Sequence, residues 1–136
     1  MKKINNLFVC KFNRFRSKIA EAYFNKINKN KNHKAKSAGL IRGRYPLDVN
    51  QVAIAKKLGI NLKGKPQGLT TDLLIWADIF IIVANDVPKN IFEYKKYNKK
   101  MIVWKIKDAD SKNNTGIRKT INEIKNKIEK IVKKLK

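Results

Sequence analysis

Cysteine and histidine are almost missing from this chain of 136 residues, which contains one of each, Cys10 and His33. A lone cysteine excludes an internal disulfide, and with one histidine it cannot build a cysteine- or histidine-rich zinc or iron site. We therefore expect a protein of a reducing, cytoplasmic setting that uses no metal and no other cofactor.

Apolar runs of membrane-spanning length are also missing, since the stretch 73–84 is interrupted by Asp78. The N-terminal Met-Lys-Lys resembles the start of a signal peptide, but charged residues follow Cys10 and no small-residue cleavage site is present. The sequence thus predicts no membrane partner.

Acidic residues are scarce, because 10 Asp and Glu face 33 Lys and Arg, for a formal net charge of +23. Such a charge attracts nucleic acid and speeds the encounter with anionic substrates. The lysines are spread along the whole chain, and no zinc-finger, helix-turn-helix or RNA-binding signature accompanies them. We expect a non-specific attraction to nucleic acid rather than a dedicated binding site.

Strand and helix patterns alternate along the chain. The predicted strands are Ile4–Cys10, Ala35–Ala38, Ile79–Ala84 and Met101–Ile106. The predicted helices are Ser17–Asn28, one capped by Asp48 or Asn50 and ending at Leu58, one near Asp72–Trp76 capped by Thr70 or Thr71, one starting at Asp86-Val87-Pro88, and a C-terminal one. With 43% hydrophobic residues, the chain suits a single domain over 1–136. The alternation predicts an α/β fold, a three-layer α/β/α arrangement around a four-stranded parallel sheet.

The C-terminal helix shows the clearest periodicity. Its apolar stripe consists of Ile117, Ile121, Ile124, Ile128, Ile131 and Leu135, and lysines occupy the other face. A membrane-surface or partner-helix role is one interpretation. We favour a helix that covers one face of the sheet, because the preceding strand otherwise lacks a cover.

The pattern Cys10-x5-Arg16-Ser17 stands between the first predicted strand and helix. A short loop there can direct backbone N–H groups inward, next to the positive end of the helix, which suits an oxyanion and a nucleophilic thiolate. Arg16 can grip two phosphate oxygens with its forked donors, and Ser17 can donate its hydroxyl to the sulfur. The alternative is a buried strand cysteine, a surface arginine and a helix-capping serine.

Ligands of parallel α/β sheets collect at the carboxyl ends of the strands, where Cys10 lies. Acidic partners for it are Asp86 after the third predicted strand, and Asp108 and Asp110 after the fourth. We interpret Asp86 as a helix cap ahead of Pro88. Glu21 and Asp78 are interpreted as structural, and Tyr45 as either an aromatic wall of the site or a packing residue.

Several segments, in this order, resemble the low-molecular-weight protein tyrosine phosphatases and the related phosphatase-like arsenate reductases. Residues 8–17, FVCKFNRFRS, with Ala-Glu-Ala at 20–22, resemble the family opening F-V-C-x-G-N-x-C-R-S-P-x-A-E-A. Ser-Ala-Gly at 37–39 matches a further landmark, and 77–79 resembles the start of the third strand. The segment 104–108 occupies the place of the late acid-bearing segment, so the resemblance spans nearly the full length.

The resemblance implies a phosphomonoester phosphatase, with phosphotyrosine in proteins as one substrate class, that uses no metal. Cys10 would attack phosphorus, Arg16 would hold the phosphate oxygens, and Asp108, with Asp110 as the substitute, would protonate the leaving group. Asn13 matches the family asparagine that supports the loop. The residues implied to bind substrate are Lys11, Phe12, Asn13, Arg14, Phe15 and Ser17. The implied partners are a phosphorylated protein, a small phosphoester or another oxyanion.

Three departures from the family pattern bear on function. Phe12 replaces a glycine, which would cost about 1 kcal/mol or more if that position required a positive φ. Phe15 replaces the second cysteine, so an arsenate reductase would need an external thiol. Ala109 replaces the proline after Asp108, and the usual tyrosines are missing. A thiol-dependent arsenate reductase and a non-catalytic binder of oxyanions or nucleic acid therefore remain alternatives.

Overall fold

The computed structural model describes residues 3–88, 90 and 99–135. Its sheet consists of β1 (Ile4–Cys10), β2 (His33–Gly39), β3 (Ile79–Val83) and β4 (Lys100–Trp104). The strand order is β2-β1-β3-β4, and every neighbouring pair is parallel. The predicted four-stranded parallel sheet is confirmed.

The helices described are α1 (Arg16–Ile27), α2 (Val49–Lys57), α3 (Thr71–Trp76) and α4 (Asn114–Lys134). Of the alternative caps, Asp48 and Thr70 accept a backbone N–H with their side chains, and Asn113 caps α4 in the same way. The helix predicted to start at Asp86-Val87-Pro88 runs into residues 89 and 91–98, which lie outside the described residues.

Both faces of the sheet are covered by helices. On one face α1, α2 and α4 enclose a core that includes Phe8, Ile19, Phe24, Ile54, Ile81, Ile117, Ile121, Ile124 and Ile128. On the other face α3 packs over a core that includes Leu7, Val9, Leu73, Ala77, Phe80 and Ile82. Because adjacent strand residues point to opposite faces, continuous apolar strands supply both cores.

The C-terminal stripe lies on the sheet side of α4. Ile117, Ile121, Ile124 and Ile128 are fully buried, and α4 packs along α1. The interpretation of α4 as a cover for one sheet face is confirmed. In the described part of the chain no helix combines the length and apolarity needed to cross a membrane.

Strand β2 is longer than predicted, and β4 begins and ends earlier. All seven residues of β2 pair with β1, although its first half, residues 33–36, is mostly polar. The pairing with β1 therefore sets the length of β2. Strand β4 ends at Trp104 because the N–H of Ile106 donates back to the Trp104 carbonyl at 2.8 Å and turns the chain. Glu21 and Asp78 have the structural roles expected, since they accept hydrogen bonds from Ser37 and from the Asn5 backbone.

Candidate active site

The carboxyl ends of all four strands meet at one edge of the sheet. In the register Cys10 lies beside Gly39, and Val83 lies beside Trp104. The chain leaves β1 in one direction and β3 in the other, so the strand order reverses between these two central strands. Parallel sheets bind ligands at such a point. Cys10 therefore stands where the topology opens a crevice.

Cys10 ends β1, and α1 begins six residues later at Arg16. The Cys10 Sγ lies 3.0 Å from the Oγ of Ser17, and the cysteine is only 2% exposed. The structure thus brings the cysteine and the serine of the motif into direct contact.

Backbone hydrogen bonds hold the loop between β1 and α1 against the segment that follows β2. The carbonyls of residues 10–12 accept from the N–H groups of Leu40, Ile41 and Gly43 at 2.8, 3.0 and 3.2 Å. A Cβ at Gly39 would lie 2.6 Å from a backbone carbon of the loop, so only glycine permits this approach. These carbonyls thus accept hydrogen bonds from the segment after β2, and this pairing fixes the position of the loop.

The N–H groups of residues 11–15, in contrast to these carbonyls, are unpaired among the described residues. Within the described part of the chain none of them donates a hydrogen bond. Phe15 at the N-cap of α1 provides no side-chain acceptor either. Unpaired donors at the start of a helix form a site for an anion, helped by the helix dipole. This loop borders the cavity that Cys10 also lines, and we call its set of unpaired backbone donors, residues 11–15, the cup.

The buried side chain of Asn13 holds the loop through three hydrogen bonds. It is the one non-glycine residue of the described chain with a positive φ, at 57°, and it is fully buried. Its Nδ2 donates to the hydroxyl oxygens of Ser17 and Ser37 at 2.7 and 2.9 Å, and its Oδ1 accepts from the Gln67 N–H at 2.9 Å. Because the Ser17 oxygen accepts from Asn13, its own hydrogen is free to point at the Cys10 sulfur.

Phe12 replaces the glycine of the phosphatase pattern, and it does so without the backbone strain of a positive φ. Its φ is not positive, because the left-handed conformation occurs at Asn13 instead. Phe12 is 39% exposed, and the ammonium of Lys11 lies 5.3 Å from the centre of its ring. The loop therefore accepts a side chain at this position.

Arg16 turns inward, toward the ends of β3 and β4. Its Nη1 donates to the Ile106 carbonyl and its Nη2 to Asp86 Oδ1, both at 2.9 Å, and its Nε lies 3.8 Å from Asp108 Oδ1. The arginine is 2% exposed, whereas the side chains of Asp86 and Asp108 are 38% and 52% exposed, so water screens the carboxylate side of both contacts. The pairing of Arg16 with Asp86 was not predicted from the sequence. Asp86 was expected to cap a helix, and that helix falls on residues outside those described.

Asp108 and Asp110 differ in where their side chains lie. Asp108 borders a cavity of about 50 Å³, together with Cys10, Phe12, Arg14, Phe15, Arg16 and Gln51. Its Oδ1 accepts from the Ala109 N–H at 2.9 Å, which steadies the carboxylate. The Asp110 carboxylate accepts from the Lys112 N–H and does not border this cavity. Of the two acids, the structure brings Asp108 to the cysteine and arginine.

Arg14 and Tyr45 form the rim of the loop. The guanidinium of Arg14 donates twice to the Pro46 carbonyl, at 3.1 and 2.8 Å, and lies 5.7 Å from the centre of the Tyr45 ring. Tyr45 is 68% exposed and is not a core packing residue. The Arg14 side chain thus braces the loop from outside, in agreement with a contribution through its backbone N–H.

Two glutamines were not foreseen from the sequence. Gln51, on α2, borders the cavity and donates to the Ala109 carbonyl at 3.0 Å, so it ties α2 to the segment with Asp108. Gln67 bonds to Asn13 and, through its Nε2, to the Ser37 carbonyl. Neither carries a sequence signal, because an isolated glutamine has no periodicity or motif. Asp86, in contrast, did carry a sequence signal, because it follows the third predicted strand.

The fold and the loop together define a class of protein: a parallel α/β protein with a cysteine at the mouth of a backbone anion cup. Residues 5–136 match the family described as low molecular weight phosphotyrosine protein phosphatase. The chain belongs to this family.

Solved structures with the same fold include phosphatases and an arsenate reductase. The low molecular weight protein tyrosine phosphatase from T. tengcongensis is 26% identical, with a TM-score of 0.83 over 97% of this chain and 99% of that one. The arsenate reductase from Archaeoglobus fulgidus is 27% identical, with a TM-score of 0.72 over 93% and 98%. The YwlE arginine phosphatase from Geobacillus stearothermophilus, 21% identical, shares the fold with a TM-score of 0.79 over 97% and 92%. No curated protein matches the sequence significantly.

Proposed function

We propose that this protein hydrolyses phosphomonoesters through a covalent cysteinyl-phosphate intermediate. The observation that carries the proposal is the cup itself: the N–H groups of residues 11–15 lack partners within the described chain, and Cys10, Arg16 and Asp108 border the same small cavity. A phosphoryl group has the charge and the oxygens that this set of donors requires.

In the first step the Cys10 thiolate attacks phosphorus. A sulfur–phosphorus bond forms, the bond to the leaving oxygen breaks, and Asp108 gives that oxygen a proton. Ser17 stabilises the thiolate with its hydroxyl, which lies 3.0 Å from the sulfur. The backbone donors and Arg16 stabilise the charge on the three remaining oxygens.

Arg16 has donors left for this role. A guanidinium carries five N–H bonds, and the contacts with Ile106 and Asp86 use one on each Nη. These contacts place the group at the ends of β3 and β4, while the remaining N–H groups are free to fork onto phosphate oxygens. Asp86 is thus proposed as a positioning residue for Arg16.

In the second step water attacks the phosphorus of the intermediate. Asp108, now a carboxylate, accepts the proton of the water, the sulfur–phosphorus bond breaks, and inorganic phosphate and the thiolate are released. We assign this acid and base role to Asp108 rather than Asp110, because only Asp108 borders the cavity with Cys10.

The ring of Phe12 gives a preference for aryl phosphates. Phe12 borders the cavity and is partly exposed, so an aromatic leaving group can pack against it. The tyrosines expected after Asp108 are missing, and of the two phenylalanines that border the cavity Phe15 is buried, which leaves Phe12 as the exposed aromatic residue there. We therefore propose aryl phosphoesters, which include phosphotyrosine, as the substrate class.

Arsenate reduction with an external thiol is the second candidate, and the 27% identity with an arsenate reductase favours it. Cys10 would bond to arsenate with loss of water. A small thiol would then attack the cysteine sulfur, so that arsenite leaves and a mixed disulfide remains, and a second thiol would release Cys10. Since Cys10 is the single cysteine, both thiols must come from other molecules.

Hydrolysis of p-nitrophenyl phosphate by the purified protein tests the proposal. We expect Cys10→Ser to abolish turnover and Asp108→Asn to lower kcat by about a hundredfold or more, as for loss of a general acid. The matched control is Asp110→Asn, which should retain near wild-type kcat.

A wild-type protein that hydrolyses no aryl phosphate but reduces arsenate when a small thiol is supplied would establish the second candidate instead. Equal losses in Asp108→Asn and Asp110→Asn would contradict the assignment of the acid.

A further inference from the structure

A chain of hydrogen bonds links the Cys10 sulfur to the carboxylate of Glu21. The groups follow one another in the order Cys10, Ser17, Asn13, Ser37 and Glu21. The three middle residues are fully buried, and Cys10 is 2% exposed. Ser17 and Glu21 lie one turn apart on α1. Because the middle of the chain is buried, each of its hydrogens must find a protein acceptor.

The direction of these hydrogens is fixed at Asn13. Its Oδ1 faces the backbone N–H of Gln67 at 2.9 Å, and since that group can only donate, the atom facing it is the oxygen. The two Nδ2 hydrogens therefore point to the oxygens of Ser17 and Ser37, at 2.7 and 2.9 Å. Both serine oxygens accept from Asn13, so each serine has its own hydrogen left to donate elsewhere.

The two serine hydrogens have different destinations. The Ser17 hydrogen is available to the Cys10 sulfur, 3.0 Å away. The Ser37 hydrogen goes to Oε1 of Glu21, and an ionised carboxylate accepts hydrogen bonds but cannot donate one. A donor at position 21 would compete with Asn13 for the Ser37 oxygen. Glu21 thus holds the end of the chain opposite to the sulfur in the orientation that Asn13 requires.

We propose that Glu21 is a positioning residue for the Cys10 nucleophile and that it acts through this chain of hydrogen bonds. The inference rests on the proposed function, in which Cys10 attacks phosphorus. Without an acceptor at position 21 the buried Ser37 hydrogen is unsatisfied, and its hydroxyl must turn toward another group. Buried hydrogen bonds of one network depend on one another, so this change reaches the Ser17 hydrogen at the other end.

The effect of an acceptor at position 21 has the opposite sign to the effect of its charge. A carboxylate repels a thiolate, so removal of the charge alone should make Cys10 more reactive. Loss of the acceptor should make Cys10 less reactive, because the Ser17 hydrogen is no longer reserved for the sulfur. Glu21→Gln and Glu21→Met both remove the charge, but only the glutamine keeps an oxygen that accepts. The two variants therefore separate acceptor from charge.

The test is the rate of Cys10 alkylation by iodoacetamide at neutral pH, a reaction that requires no phosphatase turnover. We expect Glu21→Met to slow alkylation about fivefold, as for loss of one hydrogen bond, and Glu21→Gln to stay within about twofold of the wild-type rate. The matched control is Glu129→Met on α4. It removes a carboxylate that accepts from the Tyr23 hydroxyl at 3.1 Å, and it should leave the rate unchanged.

A double-mutant cycle shows whether the effect passes along the chain. In a Ser17→Ala background, Glu21→Met should cause no further slowing, because the last link to the sulfur is already missing. Ser37→Ala removes the link next to Glu21 and should slow alkylation to a similar extent. It therefore keeps the test open if Glu21→Met does not fold.

A wild-type rate in Glu21→Met and in Ser37→Ala would overturn the inference. Equal slowing by Glu21→Met with and without the Ser17 hydroxyl would also overturn it, because it would show a general loss of structure. The same holds if Glu21→Gln is slowed as strongly as Glu21→Met. In all these cases hydrolysis of p-nitrophenyl phosphate by the wild type, and its loss in Cys10→Ser, would still support the proposed function.

Discussion

The Ser17 hydroxyl connects the cysteine to the rest of the loop. Its oxygen accepts from Asn13 at 2.7 Å and lies 3.0 Å from the Cys10 sulfur, so its hydrogen is available to the sulfur. A hydrogen bond to a charged acceptor is stronger than one to a neutral acceptor. In the proposed mechanism the Ser17 hydroxyl donates to the Cys10 thiolate, and the loss of this hydrogen bond should appear in the reactivity of the cysteine.

Alkylation of Cys10 by iodoacetamide at neutral pH measures this effect. We expect Ser17→Ala to slow alkylation about tenfold, because it removes a charge-assisted hydrogen bond from the reactive thiolate. Ser111→Ala, which removes a hydroxyl outside the loop, is the control and should react at the wild-type rate. Inorganic phosphate should protect the wild-type cysteine by filling the cup. Wild-type reactivity of Ser17→Ala, or indifference to phosphate, would contradict this role.

The role of α4 is decided by the face that it buries. Its isoleucines at 117, 121, 124 and 128 are fully buried against α1 and the sheet, while lysines occupy the outer face. Most of the stability of such a helix comes from this apolar face and not from helix propensity. Loss of one buried isoleucine side chain should therefore be felt by the whole domain.

Urea unfolding of Ile121→Ala tests the contribution of this face. Removal of a fully buried isoleucine side chain costs about 2–5 kcal/mol, through lost burial and the cavity left behind. Ile75→Ala is the matched control, since Ile75 is 62% exposed and its truncation should change the free energy of unfolding by less than about 0.5 kcal/mol. Similar losses in both variants would show that burial in α4 is not what stabilises the domain.

The net charge of +23 belongs to the whole molecule rather than to one site. A positive field over the surface raises the rate at which an anionic substrate arrives, and salt screens that field. The chemical step takes place at Cys10 and Arg16, which are each 2% exposed and are screened much less. Salt should therefore act on substrate capture and leave the chemical step nearly unchanged.

Steady-state hydrolysis of p-nitrophenyl phosphate at increasing potassium chloride separates the two effects. We expect kcat/KM to fall several-fold between about 0.02 and 0.5 M salt, as the Debye length shrinks from about 20 to 4 Å, while kcat stays within about twofold. Sucrose at matched viscosity controls for slower diffusion. A constant kcat/KM would show that the field does not guide the substrate.

Three expectations from the sequence stay predictions. They are the non-specific attraction of nucleic acid, the single domain over residues 1–136 and the cytoplasmic setting.

The order of strands and helices and the Cys10-x5-Arg16-Ser17 loop were determined by the sequence alone. Hydrophobic periods and caps depend on neighbouring residues, and the motif lies within eight consecutive positions, so local pattern is sufficient. Element ends shifted by one or two residues where a partner strand or a turn decided them, as in β2 and β4.

The tertiary structure alone decided which side chains meet at the loop. Arg16 pairs with Asp86 and Ile106, which are 70 and 90 residues away along the chain, and Asp108, the acid already chosen from the sequence, borders the cavity while Asp110 does not. The strand order that joins these groups and the glutamines that support them arise from long-range packing. No local pattern records such contacts, because each depends on the register and crossing of distant segments.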